Sequence, residues 1–440
     1  MRRALSVAAC LTLLLLPLAA QAAAVCPGCL RAGAARIALA IPPGTPLAGY
    51  GDFARRLLVP DVLGRWPHAF WFRPHEGTLD PLAARALILE SGDRRVTWIS
   101  VDLIAVDAAF TARVARALGD AGLPATALIV SASHTHSGPG AFMDSGFLGL
   151  VSIDRRDREV RDALVESLVQ AVRRAEAAKA PARVAAASLT AHDLTTGRLG
   201  LPVDAEMLVV KIDAETGGPI ATVWNYAIHG TMLPPFNLRL SADVMGIASR
   251  EVERSTGAPA LFVNGAVGDV SPARHGESEL EGAGRDLAAA VRAGLAAATP
   301  VASSPLAVAT TRVRLPSPTL SVRNCTASWV PGWIRVPLTA ALPETTELTA
   351  VRFGDVAGVT IPGELQSRLG RSVKQAGRPG VSRVLVAGVS NDYLGYFVTP
   401  ADYRRVTYVS CASLYGPEAG AILTTAAESV LRTLATPSAR

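Results

Sequence analysis

The decapeptide Ser131-Ala-Ser-His-Thr-His-Ser-Gly-Pro-Gly140 follows an apolar run, Ala127-Leu-Ile-Val130, that reads as a buried strand ending in a polar turn. On an extended backbone residues i and i+2 project to one face, so His134 and His136 are expected to enter one pocket together. A neutral imidazole is a common zinc ligand and a usable acid or base near neutral pH. The Gly-Pro-Gly that follows turns the chain and keeps bulk away from the pair. Most His-x-His pairs are ordinary surface or core residues. Here only seven histidines occur in 440 residues, and two of them close one apolar strand, which favours a site.

Upstream of this stretch, after a Pro/Gly-rich entry from Ile41 to Asp52, Arg85–Glu90 and Val96–Val101 read as a hairpin joined at Gly92-Asp93, with Asp102 closing the second strand. A helix is expected from Ala108 to Leu118. Downstream, Asp154–Ala178 reads as a long amphipathic helix with i, i+4 charge pairs. Strands follow near Arg183–Leu189, Met207–Ile212 and Ile220–Ile228, the last running into His229. Ser241–Arg254 reads as a helix capped by Ser241, and strand Ala260–Val263 opens onto Asn264-Gly-Ala-Val-Gly-Asp-Val-Ser-Pro272.

The C-terminal third repeats the plan of the first. Gly354-Asp355 joins two strands, the second closes at Glu364, and a helix and an apolar strand (Val384–Val389) lead to Ser390-Asn-Asp-Tyr-Leu-Gly-Tyr396. The expected fold class is therefore α/β, with layered mixed sheets flanked by helices and an internal pseudo-twofold repeat. Asp102 and Glu364 would be equivalent strand-end carboxylates, with the site where the halves meet.

Half of the residues are hydrophobic and 18% are charged, which argues for a globular chain without long disorder. The net charge of +6 arises from 43 basic and 37 acidic residues scattered without long runs, so there is no nucleic-acid footprint. Residues 1–22 combine Arg2-Arg3, an apolar segment from Ala4 to Leu18 and the small-x-small Ala20-Gln21-Ala22. They read as a signal peptide, too short for a membrane span, and imply an exported protein, periplasmic or secreted, without a transmembrane segment. Residues 23–37 form an N-terminal segment and 38–440 one catalytic domain. Once Cys10 leaves with the signal, four cysteines permit three pairings. Cys325 to Cys411 is expected as a structural bridge, with Cys26-Pro-Gly-Cys29 bridged to itself or mobile.

Four further segments place a reactive group beside glycines at the end of an apolar strand: Asn225-Tyr-Ala-Ile-His-Gly230, Gly268-Asp-Val-Ser-Pro272, Ile361-Pro-Gly-Glu364 and Asn391 to Tyr396. Each alone has an ordinary explanation, such as a core histidine, a turn hydroxyl, a helix cap or a packed tyrosine. In order, together with Ser-His-Thr-His-Ser-Gly-Pro-Gly and Leu414-Tyr-Gly-Pro417, they resemble the neutral/alkaline ceramidase family over about Ala38 to Leu431. The resemblance implies that the family's zinc ligands fall on His134, His229, Glu364 and Tyr396. It also matches His136 to an active-site histidine, Ser271 to a serine that is either nucleophile or substrate-binding residue, Tyr408 to an active-site tyrosine and, in a divergent segment, Arg198 to an active-site arginine. Two departures stand out. The family's C-terminal immunoglobulin-like domain is expected to be absent, and Ala273 replaces the usual Asn after Ser-Pro.

The resemblance implies a zinc-dependent amidohydrolase that cleaves the N-acyl bond of ceramide or a related amphiphilic lipid amide, at a membrane or micelle surface. In that reading the metal activates water and polarises the carbonyl, His136 carries the proton to the leaving amine, Tyr408 and Arg198 stabilise the oxyanion, and Ser271 holds the substrate. A competing reading makes Ser271 the covalent nucleophile. An esterase or phosphatase pairing serine with zinc, and a non-catalytic exported binding protein, are the rival classes.

Overall fold

The computed structural model describes residues 29–301, 306–376 and 380–434; the signal peptide expected at 1–22 and Cys26 lie outside them. One structural unit recurs along this chain. A first strand pairs antiparallel with a second, the second forms a hairpin with a third, a helix crosses over, a fourth strand pairs parallel with the third, and another helix follows. The first copy comprises β1 (Arg31–Ala38), β2 (Ala83–Ser91), β3 (Arg94–Val101), α1 (Ala108–Asp120), β4 (Ala127–Ala132) and α2 (Arg158–Ala177). The second comprises β5 (Ala180–Thr190), β6 (Glu206–Ala214), β7 (Pro219–Tyr226), α3 (Asp243–Thr256), β8 (Ala260–Asn264) and α4 (Glu277–Ala297). The third comprises β9 (Ala307–Arg314), β10 (Thr345–Phe353), β11 (Val356–Thr360), α5 (Ser367–Gln375), β12 (Arg383–Ala387) and α6 (Ala419–Thr433). The plan expected in the first and last thirds is present, and it also occurs in the middle.

Copies one and two share one sheet, in the order β4-β3-β2-β1-β5-β6-β7-β8, where Arg31 and Ala32 of β1 meet Pro181 and Ala180 of β5. Copy three forms its own four-stranded sheet. The two sheets lie face to face: Leu87, Trp98 and Val263 of the large sheet share a buried cluster with Val351 and Leu385 of the smaller one. Helices α1 and α2, then α3 and α4, cover the outer face of the large sheet. Helices α5 and α6 cover the outer face of the small one. β4, β8 and β12 lie at the ends of their sheets but are buried almost throughout, covered by helices on one face and by the other sheet on the other, which explains why they read as unbroken hydrophobic runs.

Several local expectations shift. Because β1 runs through the interior of the large sheet, the layered body already includes Arg31–Ala38, and residues from 31 onward are not a separate N-terminal segment. Helix α2 starts at Arg158 instead of Asp154, because Asp157 caps it by accepting the Val160 N–H, while the Asp154 carboxylate accepts backbone N–H groups of Phe70, Trp71 and Phe72. Ser241 does accept an N–H at the start of α3, from Asp243 at 2.9 Å, but sits one position before the cap. The Cys325–Cys411 disulfide is formed.

The carboxyl ends of the three parallel strand pairs meet, the usual place for a site in sheets with parallel strands. Asn264, at the end of β8, ties them together. Its side-chain amide donates to Ser133 O (3.1 Å) in copy one and Ile228 O (2.9 Å) in copy two, and its carbonyl accepts Gly388 N–H (2.9 Å) from copy three. Asn264→Ala would leave two buried carbonyls without their donor. Its expected cost is about 3 kcal/mol, read as a lowered urea midpoint at unchanged slope.

Candidate active site

Two of the six tips at these carboxyl ends carry imidazoles. The chain leaves β4 at Ala132 and places His134 at φ 69°, a left-handed conformation rare for a residue with a side chain. His134 and His136 thus share a pocket, but a backbone turn brings them together instead of the pleat of an extended strand. Their ring centroids lie 5.1 Å apart, and both are buried. Thr135 pairs with Gly230 of the β7 tip, and the Gly230 N–H bonds His134 O. A Cβ at Gly230 would stand 2.6 Å from that carbonyl, so only glycine permits the approach. His229, one residue earlier, is delivered beside His134.

Glu364 arrives from the β11 tip. Gly268 N–H bonds Leu365 O, and a Cβ on Gly268 would stand 2.6 Å from Glu364 O, so a second glycine allows this contact. The result is a tight triangle. His134 Nε2 and His229 Nε2 are 3.1 Å apart, and the Glu364 carboxylate oxygens lie 3.2 Å from the first and 3.0 Å from the second. His134 Nδ1 is 2.6 Å from Ile104 O, a bond that fixes the tautomer with its proton on Nδ1 and turns the Nε2 lone pair inward.

Burial, with Arg198 nearby, pushes His229 down to about 3. Burial, with His134 and His229 beside it, holds His136 well below its ordinary value. Burial alone would raise Glu364, but the adjacent His134 and His229 override it and hold the carboxyl well below the usual carboxylate range. Two imidazole nitrogens and one buried carboxylate aimed at a common point form a donor set for a divalent cation. Bonds of 2.0–2.1 Å in a tetrahedral shell put neighbouring donors about 3.3 Å apart, close to this triangle. His136 fits beside it: among the described residues neither ring nitrogen has a hydrogen-bond partner, and its donor atoms, with those of His134 and His229, lie within 4.8 Å of one another.

Tyr396, expected as the fourth ligand, is buried and pairs in register with Glu364, and its hydroxyl is 3.5 Å from Arg198 Nη1. Another phenol is closer to the carboxylate. Tyr393 donates to Glu364 Oε1 at 2.6 Å, a contact the sequence reading did not identify. Burial, then the charge of Glu364, raises both tyrosines well above the ordinary phenol value, so both keep their protons. Tyr393→Phe is expected to lower affinity for a divalent metal, or turnover, by about 10–100-fold with the fold unchanged, checked by metal titration beside steady-state rates.

Arg198 and Ser271 come together on a small ribbon, Thr195–Gly197 against Val270–Pro272, and Arg198 Nε donates to Ser271 Oγ at 2.8 Å. Tyr408 is exposed at the rim, its ring 5.7 Å from that of Tyr396. Asp102, expected to mirror Glu364, does not: its carboxylate accepts Ala83 N–H and pairs with Arg85, away from the imidazoles. Two further residues frame the histidine pair. Arg55 is buried and donates to His136 O at 2.6 Å, and the ring of Tyr50 lies 4.7 Å from that of His136. Neither had a sequence signal beyond its place near the Pro/Gly-rich entry.

A family model described as neutral/alkaline non-lysosomal ceramidase, N-terminal, matches residues 73–284. Neutral ceramidase B of Dictyostelium discoideum is 25% identical over 228 residues, 45% of this chain and 32% of that protein. The neutral ceramidase of Pseudomonas aeruginosa is 26% identical over 212 residues, 43% of this chain and 31% of that protein. The chain's match thus spans about a third of the length of these curated relatives. The crystal structure of neutral ceramidase from Pseudomonas aeruginosa superposes with a TM-score of 0.78 at 19% identity, over 92% of this chain and 74% of that one. A structure described as ceramidase complexed with C2 gives 0.77 at 18%, over 94% and 77%. The family match includes His134, His136, Arg198, His229 and Ser271; Glu364, Tyr393, Tyr396 and Tyr408 lie beyond it and join the site through the fold.

Proposed function

Because this chain belongs to the neutral/alkaline non-lysosomal ceramidase family, we propose that it hydrolyses the N-acyl bond of ceramide or a related lipid amide with zinc as cofactor, releasing a fatty acid and a sphingoid base or amine. The observation that carries this reading is the buried convergence of His134, His229 and Glu364 with an unpartnered imidazole, His136, beside them. Tyr396 is the candidate fourth donor. Bound there, zinc would lower the pKa of water and polarise the acyl carbonyl.

The protein's own groups supply the rest. An amine leaves an amide badly unless it is protonated, and His136, with both nitrogens unengaged, can take a proton from the attacking water and pass it to the leaving nitrogen. Arg198, cationic and part-buried, and Tyr408 at the rim are placed to stabilise the oxyanion. Ser271 accepts its hydrogen bond from a guanidinium, which cannot act as a base, and this favours a substrate-holding role over covalent attack. The export-like pattern in residues 1–22 supports a reaction in the periplasm or outside the cell. Among the described residues no helix is long and apolar enough to cross a membrane.

The test is hydrolysis of a fluorescent N-acyl sphingoid amide by purified protein, with and without chelator, alongside the matching ester and a phosphate monoester. Amide cleavage that chelator abolishes and added zinc restores is expected. Cleavage of the ester or phosphate alone, or full amide turnover without bound transition metal, would overturn the proposal.

A further inference from the structure

Two apolar prominences project from parts of the chain that frame the site. The first is residues 53–66, where Phe53 and Leu58 are almost fully exposed and Val59, Val62, Leu63 and Trp66 are exposed beside them. Apolar side chains this open are ordinary when scattered, but six within fourteen residues form a patch that calls for a partner. The prominence is rigidly held. Arg55 fixes its base to Ala48 O, His136 O and Pro235 O, and Arg56 Nη2 donates to Leu150 O and Val151 O. Those anchors bring the base of the prominence next to three more exposed apolar residues: Leu150, Val151 and Phe236.

The second prominence is residues 327–336, from which Trp329 and Trp333 project, 83% and 81% exposed. The Cys325–Cys411 disulfide joins its base to the short helix that begins at Tyr408. One prominence is thus rooted at His136 and the other beside Tyr408.

The exposed charge around them is mainly positive. From residue 52 to 73 the chain exposes Arg65 and Arg73, the latter paired with Glu76, and half-buries Arg56, with Arg55 buried beneath, against exposed Asp52 and against Asp61, which is buried and accepts the Trp66 N–H. Residues 322–337 carry Arg323 and Arg335 and no acid. Exposed apolar and indole side chains over a cationic surround match the interface of an anionic bilayer, where tryptophan sits at headgroup depth and arginine meets phosphate.

We propose that these two prominences dock the protein on an anionic phospholipid surface and so hold the mouth of the site against the bilayer that contains its substrate. The substrate half of this statement rests on the lipid-amide reading above, whereas the docking half does not.

The experiment uses the purified full chain and vesicles of phosphatidylcholine, alone or mixed with phosphatidylglycerol. Co-flotation with the mixed vesicles is expected, weaker at high salt, with a blue shift of tryptophan emission. Leu58→Glu with Leu63→Glu, and Trp329→Ser with Trp333→Ser, should each weaken vesicle binding at least about tenfold. Because these side chains are exposed, thermal unfolding and hydrolysis of a short, water-soluble N-acyl amide should stay at the parental level. Failure to bind either vesicle, or parental binding by both double variants, would overturn the proposal. So would a concentration-dependent dimer that the same substitutions dissolve, since the patch would then belong to a second copy. A chain that floats with vesicles and cleaves no amide would uphold the docking surface and refute the hydrolase reading instead.

Discussion

Glu364→Gln is expected to leave the protein folded but nearly free of zinc, with bound metal below about a tenth of an equivalent and hydrolysis down at least about a thousandfold. The reason is charge. An imidazole carries no negative charge, so Glu364 is the one anion among the three converging side chains, and it is buried. A glutamine preserves shape and removes that charge, and it leaves Tyr393 without its carboxylate acceptor. Elemental analysis after dialysis, beside circular dichroism and steady-state rates, reads the three consequences separately. Full zinc occupancy in this variant would mean that the metal is held elsewhere.

His136→Ala is expected to do the opposite: retain the metal and lower kcat by about 10²–10⁴-fold. Both ring nitrogens of His136 lack partners, its ring stands 5.6 Å from that of His229, and its backbone is held by Arg55 and Gly230, so removing the ring should leave the triangle in place. Small amines such as imidazole should restore part of the rate by entering the vacated space. If zinc is lost together with activity, His136 is a third imidazole ligand and its separate role as proton carrier fails.

Much of the architecture was legible because strands buried on two faces are written as short apolar runs, and because each run ends in a glycine-flanked polar tip. The repeat was harder to see whole. Matching by strand-end carboxylates links Asp102 with Glu364 but skips the middle copy, whose third strand leads on to His229 and whose hairpin is interrupted by a bulge at Ile212/Asp213. The pairing by carboxylates was itself misleading: Asp102 turns to Arg85, a neighbour across the sheet that no local pattern identifies. Tyr393 escaped for a related reason. It lies three residues before the tyrosine matched by resemblance, on a tip that includes Asn391 at φ 64°, and periodicity cannot say which of two phenols such a loop turns inward. The imidazole pair was found although the strand geometry used to argue for it does not apply, because a left-handed His134 and an extended one both leave two nearby side chains at the end of β4.

Each of the three copies furnishes a different part of the centre: His134 and His136 from the first, His229 and Ser271 from the second, Glu364, Tyr393 and Tyr396 from the third. A nascent or truncated chain holding the first two owns every imidazole of the cluster and still lacks its anion. Catalytic power would consequently be acquired in a single late event, when the final third docks. An enzyme divided in this way would stay inactive until its last segment had folded.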